Sequence, residues 1–298
     1  MKIEHSGSEV ISSSQNQTHK FGVNQGAQMF KVLSSTLYSD KVRAIIRELS
    51  CNAWDAHVAA GKPDVPFEIH MPTLHEPWFA IKDQGTGLSH NDIISLFCTY
   101  FGSNKTTSDK FIGALGLGSK SPFCYTPMYN VKVTHEGVTR MYEARVDENG
   151  EPTLQQMGHD VETPQLGNGI EIKFSVKQTD IWEFANKAKL ALEFFEPRPI
   201  TNIDLQITKS DYTVRGKQWG LRTSGGSGIR AIMGNVQYTV GHIDISRLNK
   251  RTTKIADLPL DIYFNIGDLS FTASRESLEL DEKTVKSITY QTTRATGS

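Results

Sequence analysis

Apolar residues along this chain recur every three or four positions in some stretches and every second position in others. Side chains repeat every 3.6 residues around a helix and every two along a strand, so the first kind predicts helices and the second half-buried strands. The clearest helix runs from Lys41 to about Ala60 and is ended by Gly61-Lys62-Pro63. Gly26 to Tyr38 places Phe30, Leu33 and Leu37 at helical spacing, and Asn91 to Phe101 and Asp180 to Phe195 follow the same rule. Predicted strands are Phe67–Met71, Trp78–Lys82, Tyr129–Thr134, Val138–Val146 and Gly169–Val176, then Ile203–Ile207, Ile229–Met233, Val236–Val240 and Asp261–Phe264. Glu9 to Asn24 alternates weakly and reads as a strand or an arm, and Gly102 to Lys110 is polar without periodicity. A domain boundary falls just before Asp180, giving units 1–177 and 178–298.

The helix from Lys41 carries an unusual polar stripe. With Glu48 at zero on a helical wheel, Asn52 falls about 40° to one side, Asp55 about 20° to the other, and Val42, Ile45, Leu49, Ala53 and Ala56 about 60–140° away. An acid, an amide and an acid therefore border the apolar face, whereas a surface helix keeps its carboxylates opposite the core. Two readings fit: a half-solvated edge, or groups held for chemistry at the boundary of the fold.

Two glycine clusters follow. Asp83-x-Gly85-x-Gly87 begins where a predicted strand ends. Alternating glycines there allow positive φ or the close approach of a flat ligand, and the Asp can accept a hydrogen bond in the resulting slot. A plain turn is the other reading. Gly113-x-x-Gly116-x-Gly118 places three glycines in six residues. Such a run lets successive backbone N–H groups face one anion, and a helix beginning after Gly118 would reinforce this. Leu117, Ser119, Lys120 and Ser121 lie in or beside the run. It is not a P-loop, which needs Gly-Lys-Ser/Thr directly after a four-residue gap; here Ser119 separates Gly118 from Lys120.

The bulk numbers narrow the field. In 298 residues, a hydrophobic content of 38% and a charged content of 22% fit a globular protein. The net charge of −1 gives no electrostatic case for nucleic acid or for a membrane surface. No apolar run approaches the length that spans a bilayer. Cys51, Cys98 and Cys124 are odd in number and set in apolar surroundings, which suits reduced thiols in a cytoplasm. The nine His show no zinc-ligand spacing. The basic run Arg247, Lys250, Arg251 and Lys254 reads as a solvated face before it reads as an anion site.

Glu48-x-x-x-Asn52-x-x-Asp55, Asp83-x-Gly85-x-Gly87 and Gly113-x-x-Gly116-x-Gly118, in this order, resemble the three boxes of the GHKL class of ATPases. That class includes gyrase B, the ninety-kilodalton heat-shock chaperone, MutL and histidine kinases. Arg47-Glu48-Leu49 and Ile81-Lys82-Asp83 resemble the chaperone. Tyr38-Ser39-Asp40, Arg47 to Ala53 and Gly116 to Phe123 look most like phage proteins similar to rIIA, the rapid-lysis regulator. The class usually has Gly-Thr near the end of this unit, where this chain has Gly169-Ile170. Leu269 to Leu278 resembles the chaperone segment that sends an Arg to the terminal phosphate, which marks Arg275; a structural Arg–Glu pair is the alternative.

The resemblance implies an α+β fold: a two-layer α/β sandwich with a mixed or antiparallel sheet and helices on one face, then a smaller transducer-like α/β unit of ribosomal S5-like type. It implies ATP with Mg²⁺ as ligands. Asn52 would hold Mg²⁺, Glu48 would orient or deprotonate the attacking water, and Asp83 would accept from the adenine amino group. Asp55, Gly85, Gly87, Gly113, Gly116, Leu117, Gly118, Ser119 and Lys120 would complete the ATP contacts, and Arg275 would sense the terminal phosphate. It further implies a lid over Gly102–Lys110 and nucleotide-dependent homodimers acting on a protein partner in the cytoplasm, a host's if the chain is phage-encoded. The competing function is an ATP-holding interaction module with negligible turnover. A sensor kinase fits poorly, because no His-bearing dimerisation helix precedes the first box.

Overall fold

A computed structural model describes residues 36–98, 118–240, 255 and 257–297 of the chain. Helix α1, Lys41–Ala59, starts where the Asp40 side chain accepts from the Arg43 N–H at 3.2 Å. That is an N-cap, satisfying one donor which the first helical turn leaves over. It ends in a Schellman pair: Lys62 N–H reaches His57 O at 2.8 Å and Gly61 N–H reaches Val58 O at 3.1 Å. Val42, Ile45, Leu49 and Ala53 are buried as the periodicity predicts, but so are Ala44, Ile46 and Cys51. The helix is covered on more than one side because the 3-10 helix Gly118–Cys124 and helix α3, Ile181–Ala191, both pack on it.

The first sheet has seven strands in the order β5-β4-β3-β6-β2-β1-β7. They are β1 Glu68–His70, β2 Trp78–Lys82, β3 Met128–His135, β4 Val138–Val146, β5 Pro152–Glu162, β6 Gly169–Ser175 and β7 Ile200–Thr201. All neighbours are antiparallel except β1 and β7, which are parallel, so the sheet is mixed. Phe79 and Ile81, Tyr129, Val131 and Val133, Tyr142 and Ala144, and Ile172 and Phe174 are buried at alternate positions, which places the core on one face. Phe184 of α3 sits 5.4 Å from the Phe79 ring and 6.1 Å from the Phe174 ring, anchoring that helix to the same face. A shorter helix, α2, spans His90–Cys98.

A second sheet follows, in the order β11-β10-β12-β9-β8. Its strands are β8 Tyr212–Arg215, β9 Trp219–Arg222, β10 Ile229–Met233, β11 Val236–Thr239 and β12 Leu260–Phe264. Asp261 is fully buried in it and is held by Arg222, by Arg230 Nε at 2.7 Å and Nη2 at 2.6 Å, and by the Tyr212 hydroxyl at 2.9 Å. Arg230 also donates to Glu193 at 3.1 Å, just past α3. One buried anion thereby ties the second sheet to the helical layer of the first. A two-stranded ribbon, β13 Ser270–Phe271 with β14 Leu278–Glu279, and helix α4, Glu282–Gly297, close the chain.

Several elements depart from the sequence reading. Ile203–Ile207 is not a strand: Gln206 has φ of 48°, and the carbonyls of Ile203 and Ile207 are taken by Thr201 Oγ1 and Arg198 Nη1. Only Leu205 of that stretch is buried. β5, β7, β8, β9, β13, β14 and α4 have no counterpart in the sequence reading. β5 is an exposed edge strand without an apolar face, and α4 buries Thr284 and Thr292 beside Ile288, so polar letters hide its period. No helix begins after Gly118 beyond the 3-10 segment, where Pro122 removes a donor. Sheet membership crosses residue 177, since β7 joins the first sheet. The arm at 9–24, most of the helix at 26–38, the 102–110 stretch and the basic run at 247–254 lie outside the described residues. Among the described residues, no helix is long and apolar enough to cross a membrane.

The ion network predicts a large effect from a small change. Asp261→Asn takes the anion from the buried Arg222 and leaves the half-buried Arg230 with Glu193 alone, and is expected to lower unfolding free energy by about 3–5 kcal/mol. Urea denaturation followed by circular dichroism measures it. A loss under about 1 kcal/mol, the size of a surface ion pair, would mean that strand packing alone holds this sheet.

Candidate active site

The two acids of the polar stripe of α1 are buried, not half-solvated. Glu48 is 4% exposed and Asp55 0%, while Asn52 is half-buried. A carboxylate so far from water must be paired. Arg47 Nε and Nη2 both lie 3.1 Å from Glu48 Oε1, and Arg275 Nη1 lies 3.2 Å from Oε2. Two guanidinium groups thus share one carboxylate, one from the same helix and one from 227 residues further along the chain.

The segment that delivers Arg275 is bound on each side. Arg47 Nη2 donates to Ser274 O at 2.6 Å. The Glu276 carboxylate accepts from Ser39 N–H at 3.0 Å and Asp40 N–H at 3.0 Å, at the entrance to α1. Between these anchors Arg275 has φ of 55°, a left-handed conformation that L-residues other than Gly, Asn and Asp rarely adopt. Its guanidinium lies 5.1 Å over the Phe271 ring, and its Nη2 lies 3.8 Å from Cys51 Sγ. Burial opposes the charge on Arg275, but Glu48 beside it more than reverses this and holds the pKa well above its ordinary value. Burial pushes the Cys51 thiol up to about 12 against the pull of Arg275. Cys51 is therefore a thiol and not a nucleophile near neutral pH.

The second motif and Gly118, the described end of the third, meet the same helix. Asp83, buried at the end of β2, accepts at Oδ1 from Gly85 N–H at 2.9 Å and from Ile170 N–H at 3.2 Å. Ile170 O in turn accepts from Asp83 N–H at 2.9 Å. The position where the GHKL class usually has Thr thus holds Asp83 through its backbone. Gly87 has φ of 66°, and a Cβ there would lie 2.2 Å from Thr134 O, so only glycine closes this turn. Gly118 passes so near Asn52 that a Cβ would lie 2.7 Å from its Nδ2. That contact brings the start of the 3-10 helix onto the amide of the first motif.

Ser119 and Lys120 make other contacts. Ser119 O accepts from the Tyr129 hydroxyl at 2.9 Å, and Lys120 Nζ donates to Leu96 O at 2.7 Å near the end of α2. Gly113, Gly116 and Leu117 lie outside the described residues. Among the described residues, no three His, Cys, Asp or Glu side chains converge as a metal-binding group. The sequence reading did not assign Arg47 or Glu276 to the site. Arg47 directly before Glu48 was the one available signal.

This arrangement, a mixed sheet backed by helices with Asn52, Asp83 and Gly118 brought to one helix, is an α+β fold of the GHKL ATPase type. Two solved structures of the ATPase region of Saccharomyces cerevisiae topoisomerase II carry the same fold. One, bound to ICRF-187 (dexrazoxane), matches with a TM-score of 0.54 and 13% identity over 86% of this chain and 85% of that chain. The other matches with a TM-score of 0.54 and 14% identity over 82% and 79%. In sequence, an alignment 185 positions long that covers 55% of the chain is 25% identical to chaperone protein HtpG of Pseudoalteromonas translucida (strain TAC 125). The match covers only 28% of the chaperone's length. No protein-family model matches.

The anchoring of the Arg275 segment generates a prediction. Glu276→Ala removes the acceptor for two backbone amides and is expected to raise hydrogen exchange at residues 270–279 by about tenfold, while the sheets exchange as before. Mass-spectrometric hydrogen exchange reads this. Unchanged exchange there would leave the two arginines as sufficient anchors.

Proposed function

We propose that the chain binds ATP with Mg²⁺ where Asn52, Asp83 and Gly118 meet, and that it hydrolyses ATP slowly. The observation that carries this reading is the Glu48 carboxylate shared by Arg47 and Arg275 on the helix that also bears Asn52. Asp83 would accept from the adenine amino group; guanine presents a carbonyl there, which a carboxylate repels. Asn52 would supply a neutral amide oxygen to Mg²⁺, which neutralises phosphate charge. Asp55, Gly85, Gly87 and the Gly113–Lys120 segment would complete the ATP contacts.

Glu48 would orient or deprotonate the attacking water. With both oxygens on guanidinium groups, it is a poor acceptor. A terminal phosphate that draws Arg275 away would give Arg275 a second anion and free one oxygen of Glu48 for water. One side chain would then both stabilise phosphate charge and release the base. Slow turnover follows if that exchange is rare.

The second reading, an ATP-holding interaction module, is favoured by the same pairing if Arg275 never leaves Glu48. Nucleotide-dependent dimerisation, action on a protein partner, a cytoplasmic location and a role like that of rIIA-like phage proteins rest on the motif resemblance.

Two measurements test the reading. Asp83→Asn should weaken ATP binding about tenfold to a hundredfold in calorimetric titration, the worth of one charged hydrogen bond. Undiminished binding would falsify the adenine assignment. Glu48→Ala should keep ATP binding and abolish phosphate release in a turnover assay, with Glu48→Gln as the variant that keeps the side chain's shape. Unchanged turnover in both would remove the general-base role and favour the module.

A further inference from the structure

The Asp83 turn is pinned residue by residue. Asp83 is held by Gly85 and Ile170, as described. Gln84 O accepts from Lys62 Nζ at 2.9 Å, and Thr86 O accepts from His135 Nδ1 at 3.0 Å. Gln84 N–H is held by His57, from the last turn of α1, whose Nε2 lies 2.7 Å away. The other ring nitrogen, Nδ1, lies 2.7 Å from Val65 O.

These two partners decide the chemistry of the ring. A carbonyl only accepts and a backbone N–H only donates, so Nδ1 carries the hydrogen and Nε2 offers its lone pair. His57 is 1% exposed and meets the Phe67 ring edge-on, with centroids 6.4 Å apart. Turning the ring over would break both hydrogen bonds at once. The imidazole is a fixed spacer between the helix that carries Glu48, Asn52 and Asp55 and the turn that carries Asp83.

We propose that His57 is a positioning residue for base recognition: its Nε2 holds the Gln84 peptide and thereby sets where Asp83 stands relative to Asn52. The inference rests on the adenine-binding reading of Asp83. It assigns a role to a side chain that the three motifs do not include. Phosphate and base contacts come from different elements, so a ligand that spans both feels any change in their separation. His57 fixes that separation through a directional bond, which packing alone does not supply.

The test compares ATP, GTP and inorganic tripolyphosphate, each with Mg²⁺, in calorimetric titrations of the full chain and two variants. His57→Leu has no acceptor for Gln84 N–H; His57→Gln offers an amide oxygen there and an amide N–H for Val65 O. The Leu variant should bind ATP about tenfold more weakly, with an ATP:GTP preference falling toward one and tripolyphosphate affinity unchanged. The Gln variant should recover most of the preference. A purely structural histidine would lower the unfolding midpoint but leave the preference of the folded protein intact, and that result would overturn the inference. If the Leu variant does not fold, ¹⁵N spectra of the native protein decide. The imidazole should show the Nδ1–H form, with a scalar coupling from Nε2 to the Gln84 amide that changes as ATP is added. A coupling that is absent, or indifferent to ATP, overturns the inference. Loss in the variants of a preference that the native chain shows separates this claim from the general one. A native chain that binds no nucleotide defeats the adenine reading, and this inference with it.

Discussion

One buried carboxylate with two guanidinium partners is the constraint on which the rest of the site depends. Glu48 is too deep to be left unpaired, and Arg47 alone does not fill both of its oxygens. Arg275 completes the set and brings the second half of the chain onto the first. Removing any member leaves a buried charge uncompensated, and such losses exceed what the pair itself contributes. The arrangement favours a defined geometry over stability, since apolar residues of similar volume are often as stable at buried sites.

Around this centre, α1 acts as a common mount. It offers Glu48 and Asn52 to one end of the site and His57 to the other; the 3-10 helix meets it at Asn52 and the Asp83 turn at Ala56 and His57. A rigid helix holds such spacing better than loops do, because each loop is then fixed against the same reference. The Asp261 network does a parallel service farther out, where Arg230 links the second sheet to Glu193 beside α3.

Much of this was legible from residues alone. The stripe of Glu48, Asn52 and Asp55 stood out because acids bordered an apolar face, and their burial accounts for it. The glycines of the Asp83 turn were legible because positive φ and close approach leave few alternatives. The strands of the first sheet were visible wherever one face was apolar. β5 was not, since an exposed edge strand has no apolar face to alternate, and α4 was not, since threonines fill its buried positions. Ile203–Ile207 misled because aliphatic letters were spaced by two along a segment whose carbonyls bond to side chains. Arg275 was marked by resemblance, but its contact with Glu48 spans the chain, and no local pattern records such a distance.

The backbone at Arg275 has one more consequence. Its left-handed φ is maintained by what its neighbours do: Ser274 through its carbonyl and Glu276 through its carboxylate are each tied to α1 or to the residues just before it. The arginine is thus mounted in a socket that does not rely on where its own side chain points. Such a residue can trade one anion for another by rotating about side-chain bonds, while the segment that carries it stays seated. The pace of any exchange at Glu48 would then be set by how strongly the two anions compete for one cation, not by the time needed to rebuild a loop.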